Sequence, residues 1–372
     1  MLEVGIGSAV ITPPTPVQLA GFIEDQPATE VHDDLEVRAL FVRGPHGSLC
    51  LLVCDLLGMS PEFATPVRAA VAAALGLEHA AVLTACVHTH AGPSTLAGSA
   101  RLGWITPEGY RELLVERCVE AASSAAVGAR AATLRAGRFP LPPGLSINRR
   151  DLPYQPTFAV LDVLAPGGAR IGTLANIAIH PVALGPECRA VSSDWVGPFR
   201  EALERRAGGA SVMLSGALGD VNPHHVHRQH NDCGRDGFDE ASALGRNLAE
   251  AVDAVLSDAV AVEVGADGPN VERARTVEVE LGSTLLTGGR EGRVVTIELV
   301  EWSIGPVRLV SVPGEAFHEL GGAIERRGPH VLVAGLSPEW HGYLPSPFTD
   351  GYEESMSYGR AAVAAIASAL TN

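Results

Sequence analysis

A chain of 372 residues, 46% hydrophobic and 19% charged, can bury a sizeable core as one large or two medium domains and carries too little charge to be disordered. Its net charge of -16 argues against nucleic acid or an anionic membrane surface as the main partner. All 27 basic residues are arginine, which excludes Schiff-base and pyridoxal-phosphate lysines, a P-loop lysine and a carbamylated-lysine metal bridge.

Taken in chain order, residues 2–11 alternate loosely and stop at Thr12-Pro13-Pro14, which predicts a strand. Glu36–Arg43 and Ser48–Asp55 read as paired strands around the turn Gly44-Pro45-His46-Gly47. Pro61–Leu75 is expected to be helical, Ala80–Val87 a short buried strand, and Pro107–Ala129 a long amphipathic helix. Phe158–Leu164 and Arg170–Ile179 make a second hairpin, turning at Pro166-Gly167-Gly168. A helix over Val196–Arg206, a strand over Ala210–Ser215 and a helix over Phe238–Leu256 follow. Then come strands Val271–Leu281, Arg293–Val300 and Val307–Val312, with 282–292 as a hairpin loop. Glu315–Arg326 and Tyr352–Leu370 are the last predicted helices. The pattern predicts an α/β protein with mixed, twisted β-sheets flanked by helices, without an internal repeat or a linker, as one domain over 1–372.

The six cysteines, Cys50, Cys54, Cys86, Cys118, Cys188 and Cys233, form no CxxC pair and are expected to be reduced, hence cytoplasmic. Met1-Leu2-Glu3-Val4 shows no basic region followed by an apolar one, so no signal peptide is expected. No apolar run approaches the ~20 residues that span a bilayer, so stable membrane association is not expected.

Chemistry-bearing residues gather where apolar strands stop. The run Ala80–Val87 ends in His88-Thr89-His90-Ala91-Gly92-Pro93. Residues two apart on a strand share a face, so His88 and His90 are expected to point one way from a strand's C-terminal end. Ile177-Ala178-Ile179-His180-Pro181 repeats the design, and Val310-Ser311-Val312-Pro313-Gly314-Glu315 does so with a carboxylate at the mouth of a predicted helix. An isolated His-x-His is as readily a pair of loop histidines; three strand ends offering His, His and Glu suit a zinc site that keeps a position for water. Barrel metallohydrolases also carry a strand-borne His-x-His, but near the N-terminus, often with a bridging lysine and in a regular strand–helix repeat, none of which is found here.

Other motifs are less committed. Ser215 to Pro223 is a strand opening into a Gly-rich turn in which Asp220 caps. His224, His225, His227, His230 and Cys233 read as a polar loop over the site, with a second metal as the alternative. Ser146-Ile147-Asn148-Arg149 follows a Pro-rich stretch, and Arg149 is either a surface residue or a group that polarises a carbonyl.

In this order the motifs resemble those of the neutral/alkaline (non-lysosomal) ceramidase family. Val4 to Pro14 is similar to that family's opening strand, His88-Thr89-His90-Ala91-Gly92-Pro93 to its HTHSGP, Ser146-Ile147-Asn148-Arg149 to its SINR, and Asn176 to Pro181 to its NFAVHP. Ser193-Asp194 sits where the family has Gly-Asp, Gly219 to Pro223 resembles its GDVSP, and Pro313-Gly314-Glu315 its PGE. Gly335-Leu336-Ser337 to Tyr343, then Tyr352-Glu353, resembles its tail with two tyrosines. The resemblance implies one Zn2+ held by His88, His180, Glu315 and Tyr343, with His90, Arg149 and Tyr352 lining the reaction centre. Asp55, Asp194 and Asp220 are candidates to orient the metal histidines, capping a turn being the alternative role of each.

Two departures stand out. The family's GDVSP serine is Asn222 here, so no acyl-serine can form at that position. The family's immunoglobulin-like C-terminal domain has no counterpart in the sequence, which turns the expectation from ceramide towards a smaller or more polar substrate. The reaction implied is zinc-dependent hydrolysis of an N-acyl amide by an activated water, on a small-molecule substrate, in a bacterial cytoplasm. The alternatives are a zinc-dependent lactonase or esterase and a non-catalytic zinc-binding homologue.

Overall fold

The structure is a computed structural model that describes residues 1–22, 26–97, 102–225, 235–265, 268–348 and 351–372. Three units of like construction follow one another along the chain. The first comprises β1 (Glu3–Val10), β2 (Glu36–Arg43), β3 (Ser48–Cys54), α1 (Pro61–Leu75), β4 (Val82–Cys86), α2 (Tyr110–Val127) and the short edge strand β5 (Arg130–Ala131). The second comprises β6 (Thr133–Pro140), β7 (Thr157–Leu164), β8 (Arg170–Ile177), α3 (Val196–Ala207), β9 (Ala210–Ser215), α4 (Arg235–Val255) and the edge strand β10 (Val260–Val262). The third comprises β11 (Pro269–Glu280), β12 (Val294–Ile304), β13 (Val307–Val312), α5 (His318–Glu325), β14 (Val331–Gly335), the short α6 (Tyr352–Ser355) and α7 (Arg360–Thr371).

The sheets have the orders β4-β3-β2-β1-β5, β9-β8-β7-β6-β10 and β11-β12-β13-β14. In each, three strands meander antiparallel and a fourth joins the third in parallel, through the helix between them. The parallel pairs are covered on both faces, so their sequences run apolar without alternation: β3, β4, β9 and β14 are buried almost throughout. The edge strand β11 instead alternates, with Ala274, Thr276, Glu278 and Glu280 exposed and Arg275, Val277 and Val279 between them turned inward.

Three cross-sheet contacts lock the C-terminal ends of the parallel strands together. Asn176 of β8 donates to the carbonyl of Val333 in β14 at 2.9 Å and accepts from the Val333 N–H at 3.1 Å. The Ser215 hydroxyl at the end of β9 donates to the carbonyl of Val87 at 2.9 Å. Thr84 of β4 donates to the carbonyl of Pro338 at 2.5 Å. Strand ends from all three sheets therefore meet at one place.

The expected α/β class with mixed sheets and flanking helices is what the chain forms. Four expectations need correction. The units repeat in structure although no repeat is legible in sequence. The strand expected over Ala80–Val87 begins as a 3-10 turn over His79–Ala81 and ends at Cys86. The helix expected from Glu315 starts at His318, because Glu315–Ala316 pairs in parallel with Tyr343–Leu344. The closing helix breaks between Ser355 and Arg360, where Gly359 takes φ 95°.

Candidate metal centre

His88 lies two residues beyond β4, with its N–H on the carbonyl of Leu56 at 2.9 Å and φ at 78°. A positive φ at a non-glycine residue costs of order 1–3 kcal/mol and persists only where its surroundings over-determine it. Strand alternation thus does not bring His88 and His90 together, as the sequence suggested; a strained turn does, leaving their rings 5.0 Å apart at 80°. The His88 Nδ1 lies 2.6 Å from the carbonyl of Leu57, which assigns the proton to Nδ1 and leaves Nε2 free to accept. That Nε2 is 3.1 Å from Oε2 of Glu315.

His180 follows the same rule from the second unit. Its Nδ1 is 3.2 Å from the carbonyl of Val221, and its Nε2 is 3.2 Å from the same Oε2 of Glu315. Glu315 comes from the third unit, its N–H bonded to the carbonyl of Gly342 at 3.0 Å and its Oε1 accepting from Nε1 of Trp340 at 2.9 Å. All three side chains are buried.

The donor set fits zinc. Bonds of ~2.0–2.1 Å in a tetrahedral site put neighbouring donor atoms about 3.3 Å apart, close to the separations of Glu315 from both imidazoles. Burial pushes His180 down to about 4, against the neighbouring Glu315 carboxylate, which resists it. Burial works to raise Glu315, but the two imidazoles overcome it and hold the carboxyl well below the usual range. An ionised carboxylate against a neutral imidazole is the protonation state metal binding requires.

The ligand atoms of His88, His90 and His180 all lie within 4.8 Å of one another. His90 belongs to this candidate metal-holding group, its ring 5.0 Å from that of His88 and 6.0 Å from that of His180. Phe22 meets its ring edge-on at 4.8 Å, and a Cβ on Gly21 (φ 128°) would come within 2.4 Å of it. Both ring nitrogens are buried without a hydrogen-bond partner among the described residues. Burial, then the neighbouring His88 and His180, pushes this imidazole well below its ordinary range, so it is neutral at pH 7.

On the other side stand Tyr343, Arg149 and Tyr352. Arg149 donates through Nη2 to the carbonyl of Gly219 at 2.5 Å and to the Tyr343 hydroxyl at 3.3 Å, and it pairs with Glu353 at 3.0 Å. Burial opposes its charge, but Tyr343 and Glu353 outweigh that and raise it, while its Nε is buried without a partner among the described residues. Burial and then Glu315 push the Tyr343 phenol well up, with Arg149 pulling the other way. Tyr352 is 45% exposed, its ring 6.2 Å from that of Tyr343, and burial pushes its phenol up to about 12.

The fold is that of neutral ceramidase. The whole chain superimposes on 73% of the crystal structure of neutral ceramidase from Pseudomonas aeruginosa, with a TM-score of 0.84 at 18% identity. It likewise covers 74% of a ceramidase complexed with C2, with a TM-score of 0.80 at 17% identity. No family model and no curated protein matches the sequence.

The residues quoted for the ceramidase resemblance lie near one another: His88, His90, His180 and Glu315 beyond strand ends, Arg149 after the short strand Ser146–Asn148, Tyr343 in the pair with Glu315, and Tyr352 at the start of α6. The aspartates are not placed to orient the metal histidines. Asp55 makes a buried bidentate pair with Arg200 at 2.7 and 2.6 Å. Asp194 caps the N–H groups of Ala183, Leu184 and Trp195, and Asp220 receives Asn148 and His318. Backbone carbonyls do the orienting instead. Asn222 sits in the strand Val221–Pro223, opposite Ile147. Of the histidine-rich loop, His225 lies 3.7 Å from Glu240, and neither it nor His224 joins a metal-ligating group among the described residues. His227, His230 and Cys233 lie outside the described residues; the other five cysteines are buried free thiols.

Sequence reasoning gave no role to Trp340, nor to Glu353, which it named only beside Tyr352. Two adjacent arginines, Arg149-Arg150, and two adjacent glutamates, Glu353-Glu354, were a legible hint of the second, and they pair in the structure.

Proposed function

We propose that the chain is a zinc-dependent hydrolase of an N-acyl amide, with the metal held by His88, His180, Glu315 and Tyr343. The observation that carries this reading is the single carboxylate oxygen of Glu315 within 3.1 and 3.2 Å of two imidazole nitrogens whose other nitrogens face backbone carbonyls. A bound zinc would polarise the acyl carbonyl and lower the pKa of a water towards neutrality. His90, neutral and without a hydrogen-bond partner among the described residues, accepts a proton from the attacking water and returns it to the leaving nitrogen. Arg149 and Tyr352 donate to the oxygen on which charge develops; one such donor is worth ~3 kcal/mol. Arg149 also favours loss of the Tyr343 proton, since its cation lies over the ring at 5.6 Å.

The groups beside Tyr352 are charged: Arg149, Arg150, Glu353 and Glu354 form one linked cluster. A site flanked this way suits a smaller or more polar acyl amide than a long-chain lipid, which an apolar funnel would serve better. The test is a panel of acyl amides, esters and lactones, assayed on protein of measured zinc content before and after chelation. Amide cleavage that is lost with zinc and returns with it is expected, with short or polar amides ahead of long-chain ceramide. Cleavage of esters or lactones alone would reassign the substrate, and no turnover by fully zinc-loaded protein would contradict an enzymatic role.

A further inference from the structure

The three buried donors at the centre share a construction. In the first unit His88, beyond β4, is oriented by the carbonyl of Leu57, beyond β3. In the second His180, beyond β8, is oriented by the carbonyl of Val221, beyond β9. Each donor is thus fixed by the neighbouring strand end of its own parallel pair. In the third unit Glu315 follows β13, and what reaches it from beyond β14 is the indole of Trp340. A carboxylate needs a donor where an imidazole N–H needs an acceptor, so a side chain replaces the carbonyl.

We propose that Trp340 is the positioning residue of the metal-binding carboxylate: its N–H holds Oε1 of Glu315, so that Oε2 alone turns to the metal. The proposal rests on the reading of Glu315 as a ligand. Indole suits the role because it only donates: it neither binds a metal nor adds a charge to the donor set. The other three tryptophans, Trp104, Trp195 and Trp302, donate to the backbone carbonyls of Phe22, His180 and Ala80. Trp340 alone spends its N–H on a carboxylate, a hydrogen bond strengthened by the acceptor's charge. It is also built in: it is 6% exposed, its backbone N–H bonds the carbonyl of Met59 at 2.7 Å, and Gly58 packs so close that a Cβ there would meet its ring at 2.8 Å.

The experiment measures zinc affinity by competition with a chromophoric chelator for wild type, Trp340→Phe, Trp302→Phe and Glu315→Ala. Trp340→Phe keeps an aromatic body and removes the donor, and is expected to weaken zinc binding about 10- to 100-fold, the usual effect of losing such a partner. Trp302→Phe loses an indole hydrogen bond away from the centre and is expected to bind as wild type does. A 15N-indole spectrum of the wild-type chain serves if Trp340→Phe does not fold: one indole N–H signal should move on adding zinc and move again in Glu315→Gln. Undiminished affinity in Trp340→Phe while Glu315→Ala loses zinc would overturn the proposal and leave Glu315 a ligand. An unresponsive indole spectrum would overturn it equally. If Glu315→Ala binds zinc as tightly as wild type, the ligand reading itself falls, and the proposal with it.

Discussion

Each imidazole at the centre faces a backbone carbonyl with one nitrogen, His88 that of Leu57 and His180 that of Val221. No single side-chain replacement deletes either acceptor, so sequence inspection had only the aspartates to offer for that part, and they turned out to cap and to pair elsewhere. Asn222 bears on the chemistry more directly. It has no nucleophilic hydroxyl, so Asn222→Ser is expected to leave the rate of any amide hydrolysis within an order of magnitude, and mass spectrometry of wild type under turnover should show no acyl adduct on serine or cysteine. An acyl adduct would refute attack by water. His318 gives a pH-dependent prediction. Its hydrogen bond to Asp220 at 2.6 Å raises its pKa against the effect of burial. A raised folded pKa contributes stability that is present in full below the unfolded value near 6.5 and is lost as pH rises through the folded value. The urea midpoint of wild type minus that of His318→Gln should therefore be largest near pH 6 and shrink on going alkaline. A difference that grows with pH would show the sign to be wrong.

At the scale of elements, the parallel strands matter most, because their C-terminal ends are where ligands are delivered in α/β proteins. Asn176 ties β8 to β9 and β14 through the carbonyls of Leu214 and Val333 and the Val333 N–H. Asn176→Ala would leave those buried groups unpartnered, and a loss of about 2–4 kcal/mol in urea unfolding is expected, since each such group costs ~1–3 kcal/mol. A change near zero would mean that water replaces the amide and that the sheets are held by packing alone. Buried hairpins and long helices were legible, because their apolar runs and turn residues are local: α1, β9 and β13 fall where the sequence put them. The strands β6 and β14 were not assigned, though the five apolar-rich residues of β14 carried a signal. Glu315 was assigned to the start of a helix over Glu315–Arg326. Its pairing with Tyr343, 28 positions away, is invisible to any local pattern.

Across the whole molecule, three units of one plan supply the centre in different ways: the first gives histidines from beyond its fourth strand, the second a histidine from beyond its third, and the third gives from beyond both. The plan left no trace in the sequence because what recurs is strand order and connection, which many apolar sequences satisfy, while the residues at the strand ends differ by chemistry. What could be read was the chemistry itself: His88, His180 and Glu315 end apolar runs, and metal donors at strand ends are conspicuous against such runs. What could not be read was how those ends converge, since that depends on Asn176, Thr84 and Ser215 bridging separate sheets. The claim that these units meet to hold a metal is tested most directly by anomalous diffraction at the zinc edge from crystals of the zinc-loaded protein. The account predicts one peak, bonded at ~2.0–2.2 Å to Nε2 of His88, Nε2 of His180, Oε2 of Glu315 and the hydroxyl oxygen of Tyr343. A crystal with no peak at that point, or with its only peak among the histidines after Pro223, would contradict it.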